Sequence, residues 1–131
     1  MEKLTYTSAF SGYSVDNIGK AKEFYGTVLG LNVEQTPEGL KLSLAGTTVF
    51  IYGKPNHQPA TFTVLNFEVE DIDAAVEQLK NAGVTLENYD GTTPMKADEK
   101  GIYRGKAAGY GPDIAWFKDP AGNILSVVSG K

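Results

Sequence analysis

The sequence repeats a pattern of residues after 54 positions, and this duplication constrains the fold more than any other feature. The matching pairs are Tyr13 with Phe67, Val15 with Val69, Asp16 with Glu70, Asn17 with Asp71, Ile18 with Ile72, Ala21 with Ala75, and Tyr25 with Leu79. One deleted residue then aligns Gly30 with Gly83. Because a helix cap, an apolar helix face and a turn glycine all keep register, we predict a duplication. Its repeats span residues 4–54 and 61–129 of a single 1–131 domain.

Apolar spacing predicts one amphipathic helix in each repeat. The first helix is predicted over Ile18–Leu29, after a cap at Asp16 or Asn17 and before a stop at Gly30. The second helix is predicted over Ile72–Ala82, with Asp71 as its cap and Gly83 as its stop.

Strand patterns flank both helices, and turn residues separate them. The predicted strands are Leu4–Val15, Leu40–Leu44, Thr47–Tyr52, Phe62–Val69, Ile114–Phe117 and Ile124–Val128. A strong turn is predicted over Asp119–Asn123. The order of helices and strands predicts an α+β fold.

The stretch from Tyr89 to Pro112 breaks the symmetry, because it is rich in glycine and charge and has no clear period. A connection of this length is typical of a mobile or functional loop. Its centre, Lys100–Arg104, is compatible with a short strand.

Composition excludes several classes of function. The net charge of −4 and the absence of any basic cluster argue against a nucleic-acid partner. No cysteine is available for a disulfide, a thiolate metal site or a nucleophile. No apolar run approaches the roughly 20 residues of a membrane helix, and no secretory signal is visible. We therefore expect a cytoplasmic protein without a membrane partner.

Three segments resemble the vicinal-oxygen-chelate superfamily of glyoxalases, bleomycin-resistance proteins and extradiol dioxygenases. They are the opening Val15–Leu31, the middle Val69–Ile72 and the closing Trp116–Leu125. The resemblance implies two βαβββ modules whose sheets curl around a shared cleft, often in a homodimer. It also implies, for the enzymes, a divalent metal held by His and Glu from four strand positions.

Those four positions fall on Phe10, Phe50, Val64 and Ser126 when the resemblance is carried onto this chain. None of these side chains offers the imidazole nitrogen or carboxylate oxygen that a divalent metal needs. Their neighbours lack His, Asp and Glu as well, over residues 10–13, 49–52, 62–66 and 125–128. We therefore predict no metal and no other cofactor.

Candidate ligand contacts remain, each with a structural alternative. Trp116 would suit stacking on a flat ligand, and core packing explains it equally well. Phe10, Phe50 and Tyr52 would make the cleft apolar, or would simply fill it. The remaining candidates are Val64, Asn66, Tyr103, Arg104 and Ser126.

Two of the polar candidates, Arg104 and Asn66, could hydrogen-bond to a ligand. Arg104 could clamp a carboxylate or phosphate. Asn66 at an inward strand position needs a partner, either a ligand or a backbone group. The surrounding Asp98, Glu99 and Lys100 also fit a solvated loop.

A catalytic base is poorly supported. His57 is the only histidine, and it lies between two prolines in the linker, where a solvated loop position explains it. No nucleophile elbow, phosphate loop or dinucleotide fingerprint is present.

The sequence leaves three functions open. The first is metal-independent binding of a small apolar or aromatic molecule in the cleft of a homodimer. The second is a metal-dependent lyase or dioxygenase of the glyoxalase type. The third is a structural or regulatory dimer with an inert cleft.

Overall fold

The computed structural model describes residues 2–130, so the first and last residues of the predicted 1–131 domain lie outside it. The chain divides into two compact units between Gln58 and Pro59. Each unit is an open four-stranded mixed sheet with helices, and the fold is α+β, as predicted. Within residues 2–130, no helix is long and apolar enough to cross a membrane.

The first unit carries one helix and four strands. Their bounds are β1 Ser11–Val15, α1 Ile18–Lys22, β2 Asn32–Thr36, β3 Gly39–Leu44 and β4 Thr47–Gly53. The strand order is β1-β4-β3-β2, with β1 parallel to β4 and the other pairs antiparallel. Its core is formed by side chains from α1, from the π-helix Glu23–Val28 that continues it, and from alternate strand positions: Val15, Ala21, Phe24, Tyr25, Leu40, Leu42, Val49 and Ile51.

Helix α1 begins as predicted and then widens. The Asn17 side chain accepts a hydrogen bond from the backbone N–H of Lys20 and caps the helix. Beyond Lys22 the chain continues as a π-helix, Glu23–Val28. The prediction of one regular helix to Leu29 was therefore wrong in its second half. The π segment keeps the adjacent rings of Phe24 and Tyr25 both buried.

The first strand is shorter than predicted, because it begins at Ser11 and not at Leu4. Its ladder with β4 starts at the pair Ser11–Val49. Without a strand beside it, the alternating apolar pattern of residues 4–10 is not sufficient to form β structure. Strand β2 was not among the strands predicted from the sequence.

The second unit carries two helices and four strands. Their bounds are β5 Thr63–Glu68, α2 Ile72–Asn81, β6 Tyr103–Arg104, α3 Gly105–Ala108, β7 Asp113–Lys118 and β8 Ile124–Ser129. Helix α2 and the strands β5, β7 and β8 were predicted to within two residues at each end. The short strand expected in Lys100–Arg104 is β6.

The second sheet has the order β5-β8-β7-β6, which is the order of the first sheet with equivalent strands. The parallel pairs correspond in register as well: Gly12 lies beside Phe50, and Asn66, 54 residues after Gly12, lies beside Ser126. The predicted turn at Asp119 joins β7 to β8. The Asp119 carboxylate accepts hydrogen bonds from the backbone N–H groups of Ala121 and Asn123.

Candidate functional site

One face of the second sheet gathers four of the predicted site residues. On β7 and β8, buried Ala115, Phe117, Leu125 and Val127 alternate with residues of the opposite face, and α2 packs on these two strands. Trp116 pairs with Ser126, and Ser126 pairs with Asn66, so the three form a row across the sheet. We call this the Trp116 face; its side chains are Asn66, Tyr103, Ile114, Trp116, Ser126 and Val128.

Three aromatic rings meet on the Trp116 face. Tyr89 packs edge-on to Trp116 with ring centres 5.4 Å apart, and Tyr103 does so at 5.1 Å. The indole Nε1 of Trp116 donates a hydrogen bond to Thr63 Oγ1 at 3.0 Å. The ring is therefore held on two sides and at its polar edge, which gives a rigid apolar surface.

Tyr103 links this cluster to the irregular segment after α2. It is 2% exposed, and its hydroxyl donates to Asp90 Oδ1 at 3.0 Å while it accepts the backbone N–H of Tyr89 at 2.6 Å. Burial raises the pKa of Tyr103 above its usual value, so the phenol stays protonated at neutral pH.

Ser126 and Asn66 are joined by a short hydrogen bond. Ser126 is fully buried, and its Oγ donates to Asn66 Oδ1 at 2.5 Å. The partner sought for the Asn66 amide is thus a side chain of the protein. Asn66 itself is exposed, so its remaining donors face outward and are available to a ligand.

An open pocket of about 720 Å³ adjoins the Trp116 face at the end of β5. Asn66 and Val128 line both the pocket and the face. The other lining residues are Glu68, Val69, Glu70, Lys106, Pro112, Ser129 and Gly130. Its size suits a small molecule, and its lining mixes apolar side chains with charges of both signs.

In the first unit, Phe50 and Tyr52 share the face of the sheet opposite buried Val49 and Ile51. Ser14, the neighbour of Tyr52 on β1, lies on the same face, and its Oγ is 2.6 Å from Nδ1 of His57. The histidine is half-buried and contacts this strand, so it is not the fully solvated loop residue expected from the sequence.

Phe10 and Val64 lie at less regular places. Phe10 precedes β1 and is 67% exposed, so the prediction that it lies on the first strand was wrong. Val64 lies at an irregularity of β5, where the register shifts between Thr63 and Leu65. Neither position brings a metal-binding group to its sheet. Within residues 2–130, no three His, Asp or Glu side chains are grouped so that they could hold a metal ion.

Arg104 lies on the opposite side of the sheet from Trp116, because it pairs with Asp113 rather than with Ile114. Its guanidinium donates to Asp73 on α2 at 2.7 and 3.2 Å and to Asp98 at 2.9 Å. The hydrogen bonds that Asp73 accepts from Arg104 and, with a smaller effect, from Lys100 hold its pKa well below the usual value. Arg104 therefore ties α2 to β6, and we leave it out of the ligand surface.

The sequence did not reveal two members of the site. Tyr89 belongs to the ring cluster, and Thr63 accepts the indole hydrogen bond. Tyr89 reaches Trp116 because Glu87 N–H donates to the Trp116 carbonyl and lays this segment along β7. A lone tyrosine in an irregular segment gives no periodic signal that could have located it.

Comparison with known proteins supports the fold. The model of the Glyoxalase/Bleomycin resistance protein/Dioxygenase superfamily matches residues 8–127. A glyoxalase family protein from Bacillus anthracis is 19% identical, with a TM-score of 0.65 over 98% of this chain and 100% of that one. The fosfomycin resistance protein FosX from Listeria monocytogenes is 14% identical, with a TM-score of 0.67 over 98% of this chain and 96% of its own.

A third similar structure is TnmS3, an antibiotic binding protein from Streptomyces sp. CB03234. It is 22% identical, with a TM-score of 0.61 over 98% of this chain and 100% of its own.

No curated protein matches the chain significantly. At these identities the solved structures establish a shared fold and no shared activity. The family match covers nearly the whole chain, which therefore belongs to the Glyoxalase/Bleomycin resistance protein/Dioxygenase superfamily.

Proposed function

We propose that the chain binds a small apolar or aromatic molecule without a metal ion, and that the Trp116 face is the binding surface. The observation that carries this proposal is the chemistry of the four positions where the resemblance places metal ligands. They hold Phe10, Phe50, Val64 and Ser126, and none of these side chains is an imidazole or a carboxylate.

Ser126 offers the only oxygen among the four, and it does not fit the role of a metal ligand. Its hydroxyl is neutral, is fully buried and already donates to Asn66. Hard and borderline divalent metals are held by several imidazole or carboxylate donors, and Phe10, Phe50 and Val64 supply none. We derive no catalytic step through a metal.

The ring cluster supplies the chemistry of binding. A flat ligand that buries about 150 Å² of apolar area against it would gain roughly 4 kcal/mol. The Trp116 ring, held by Thr63 and Tyr103, loses little conformational entropy on contact, so most of this gain would be retained. The outward donors of Asn66 and the adjoining pocket would orient any polar substituent.

The printed description of TnmS3 as an antibiotic binding protein supports binding as a function of this fold. The family also includes dioxygenases, and that match is what favours the alternative, a metal-dependent lyase or dioxygenase of the glyoxalase type. The two functions differ in one requirement, because only the alternative needs a metal.

We also propose a homodimer. Apolar side chains of the segment before β1 are largely exposed in the single chain: Leu4 by 86%, Tyr6 by 70% and Phe10 by 67%. Exposed apolar groups of this size are typical of an interface. Light scattering coupled to size exclusion would test this, and a monomer at all concentrations would refute it. A cytoplasmic location stays a prediction from the sequence.

The ligand proposal can be tested by NMR, because Trp116 is the only tryptophan and gives a single indole N–H cross-peak. We expect naphthalene to shift this peak progressively, with a dissociation constant of roughly 1 mM, which corresponds to about 4 kcal/mol. Trp116→Leu has no indole peak, so its binding is followed by the backbone amide peaks. We expect this variant not to bind naphthalene. The matched control Tyr110→Leu removes an exposed aromatic ring outside the cluster and should bind naphthalene normally.

Two results would count against the proposal. If naphthalene binds Trp116→Leu as well as the unaltered protein, the Trp116 face is not the site. If neither naphthalene nor other flat compounds perturb the indole peak, the Trp116 face is inert, which favours the third function considered from the sequence.

A further inference from the structure

Among the three rings of the cluster, one polar atom lacks a partner. The indole N–H of Trp116 donates to Thr63, and the hydroxyl of Tyr103 both donates to Asp90 and accepts from Tyr89 N–H. The hydroxyl of Tyr89 is buried and has no hydrogen-bond partner within residues 2–130. Buried hydroxyls in native proteins nearly always have partners, so this one requires an explanation.

The backbone of Tyr89 is held in place by three hydrogen bonds. Its N–H donates to Tyr103 at 2.6 Å, and its carbonyl accepts from Thr92, both from the backbone N–H at 3.0 Å and from Oγ1 at 2.7 Å. Its ring is held edge-on to Trp116. The only unsatisfied group of the residue is the one at the tip of the ring.

The hydroxyl is a donor at neutral pH. Burial raises the pKa of Tyr89 above its usual value, and the nearby Glu87 carboxylate adds to this effect. The phenol therefore keeps its proton, and that proton needs an acceptor.

We propose that Tyr89 donates a hydrogen bond to an acceptor atom on the bound ligand, and that the ligand class is a flat aromatic bearing a ring nitrogen or carbonyl oxygen. This inference rests on the proposed function, because it assumes that ligands bind beside Trp116. It adds selectivity: an unsubstituted hydrocarbon would leave the proton unpaired, whereas a heteroaromatic of the same shape would not.

Contact with a ligand requires the Tyr89 side chain to rotate while its backbone stays in place, because the hydroxyl is covered. The residue lies in the stretch between α2 and β6, which contains no helix or extended strand, so this rotation disturbs little regular structure. Gly91, at φ +89°, lies two residues further on, in a backbone conformation that glycine tolerates.

The test compares naphthalene with quinoline, which has the same shape and one ring nitrogen. The measured quantity is the ratio of their dissociation constants, naphthalene over quinoline, because the ratio cancels the shared stacking. Tyr89→Phe keeps the ring and removes only the hydroxyl. We expect it to lower this ratio by about 5- to 20-fold, mainly by weakening quinoline. The control Tyr110→Phe removes an exposed hydroxyl and should leave the ratio unchanged.

A second measurement is the Tm of the ligand-free protein. A partnerless hydroxyl contributes no stability, so Tyr89→Phe should leave the Tm unchanged or raise it. A clear fall in Tm would mean that the hydroxyl has a partner, such as an ordered water, and would overturn the inference. An unchanged ratio, with both compounds still binding, overturns the inference alone. Absence of binding by either compound overturns the proposed function as well.

Discussion

The hydrogen bond between Ser126 and Asn66 gives an asymmetric prediction for two variants. Ser126 is fully buried, whereas Asn66 is exposed. Ser126→Ala leaves the Asn66 amide without its partner, but water can replace the lost donor. Asn66→Leu keeps a side chain of similar size over the Ser126 hydroxyl and removes its acceptor, so the hydroxyl stays covered and unpaired. Removal of the exposed partner should therefore cost more than removal of the buried one.

The magnitudes follow from the two environments. Loss of one ordinary hydrogen bond costs about 1 kcal/mol, so Ser126→Ala should lose about that much. An orphaned buried hydroxyl costs about 2 kcal/mol, which is the loss expected for Asn66→Leu. For 131 residues, 1 kcal/mol corresponds to roughly 4 °C in Tm. The double variant contains no orphan and should resemble Ser126→Ala, about 2 kcal/mol less destabilised than additivity predicts.

Thermal unfolding of the four proteins, followed by circular dichroism, measures all three differences. The expected order of Tm is unaltered protein, then Ser126→Ala and the double variant Ser126→Ala/Asn66→Leu together, then Asn66→Leu. Additive losses, or a smaller loss for Asn66→Leu than for Ser126→Ala, would refute the description of Ser126 as a buried hydroxyl whose acceptor is Asn66.

Three further variants test the scaffold of the second unit. Asp71→Ala removes the side chain that accepts the Ala74 N–H at 3.1 Å and caps α2, and should lower stability by about 1 kcal/mol in chemical denaturation. Arg104→Met should flatten the acid limb of a plot of Tm against pH. Because the pKa of Asp73 is lowered in the folded state, the ionised carboxylate stabilises the fold at pH values above its unfolded pKa of about 4. This stabilisation is lost as the pH falls below that value. An acid limb unchanged in this variant would contradict that assignment. Gly105→Ala should yield little folded protein, because a Cβ there would collide with the backbone carbonyl of Pro112; normal solubility and Tm would contradict this packing.

The sequence predicted most of the regular structure because its signals were local and repeated. The caps at Asn17 and Asp71 and the turn at Asp119 are each set by a side chain that bonds to nearby backbone groups. Such contacts depend on few residues, so they can be recognised in a sequence. The first strand was predicted too long because pairing depends on a distant partner, and the strand beside it starts only at Thr47.

The site was predicted only in part, for the same reason. Trp116, Ser126 and Asn66 come together through strand register, which the repeat made visible. The sheet face of Arg104 depends on its pairing with Asp113 across two short strands, and no pattern in the sequence fixed that pairing. Tyr89 joins the cluster through an isolated bridge between Leu86 and Phe117 of β7, which leaves no periodicity to detect.

The most direct test of metal-independent binding follows the Trp116 indole peak during a naphthalene titration of protein dialysed against EDTA, with and without added Mn²⁺ or Zn²⁺. If binding needs no metal, naphthalene will shift the peak in the chelated sample, with dissociation constants that agree within about two-fold across all conditions. Binding that appears only after one equivalent of metal is restored would contradict it.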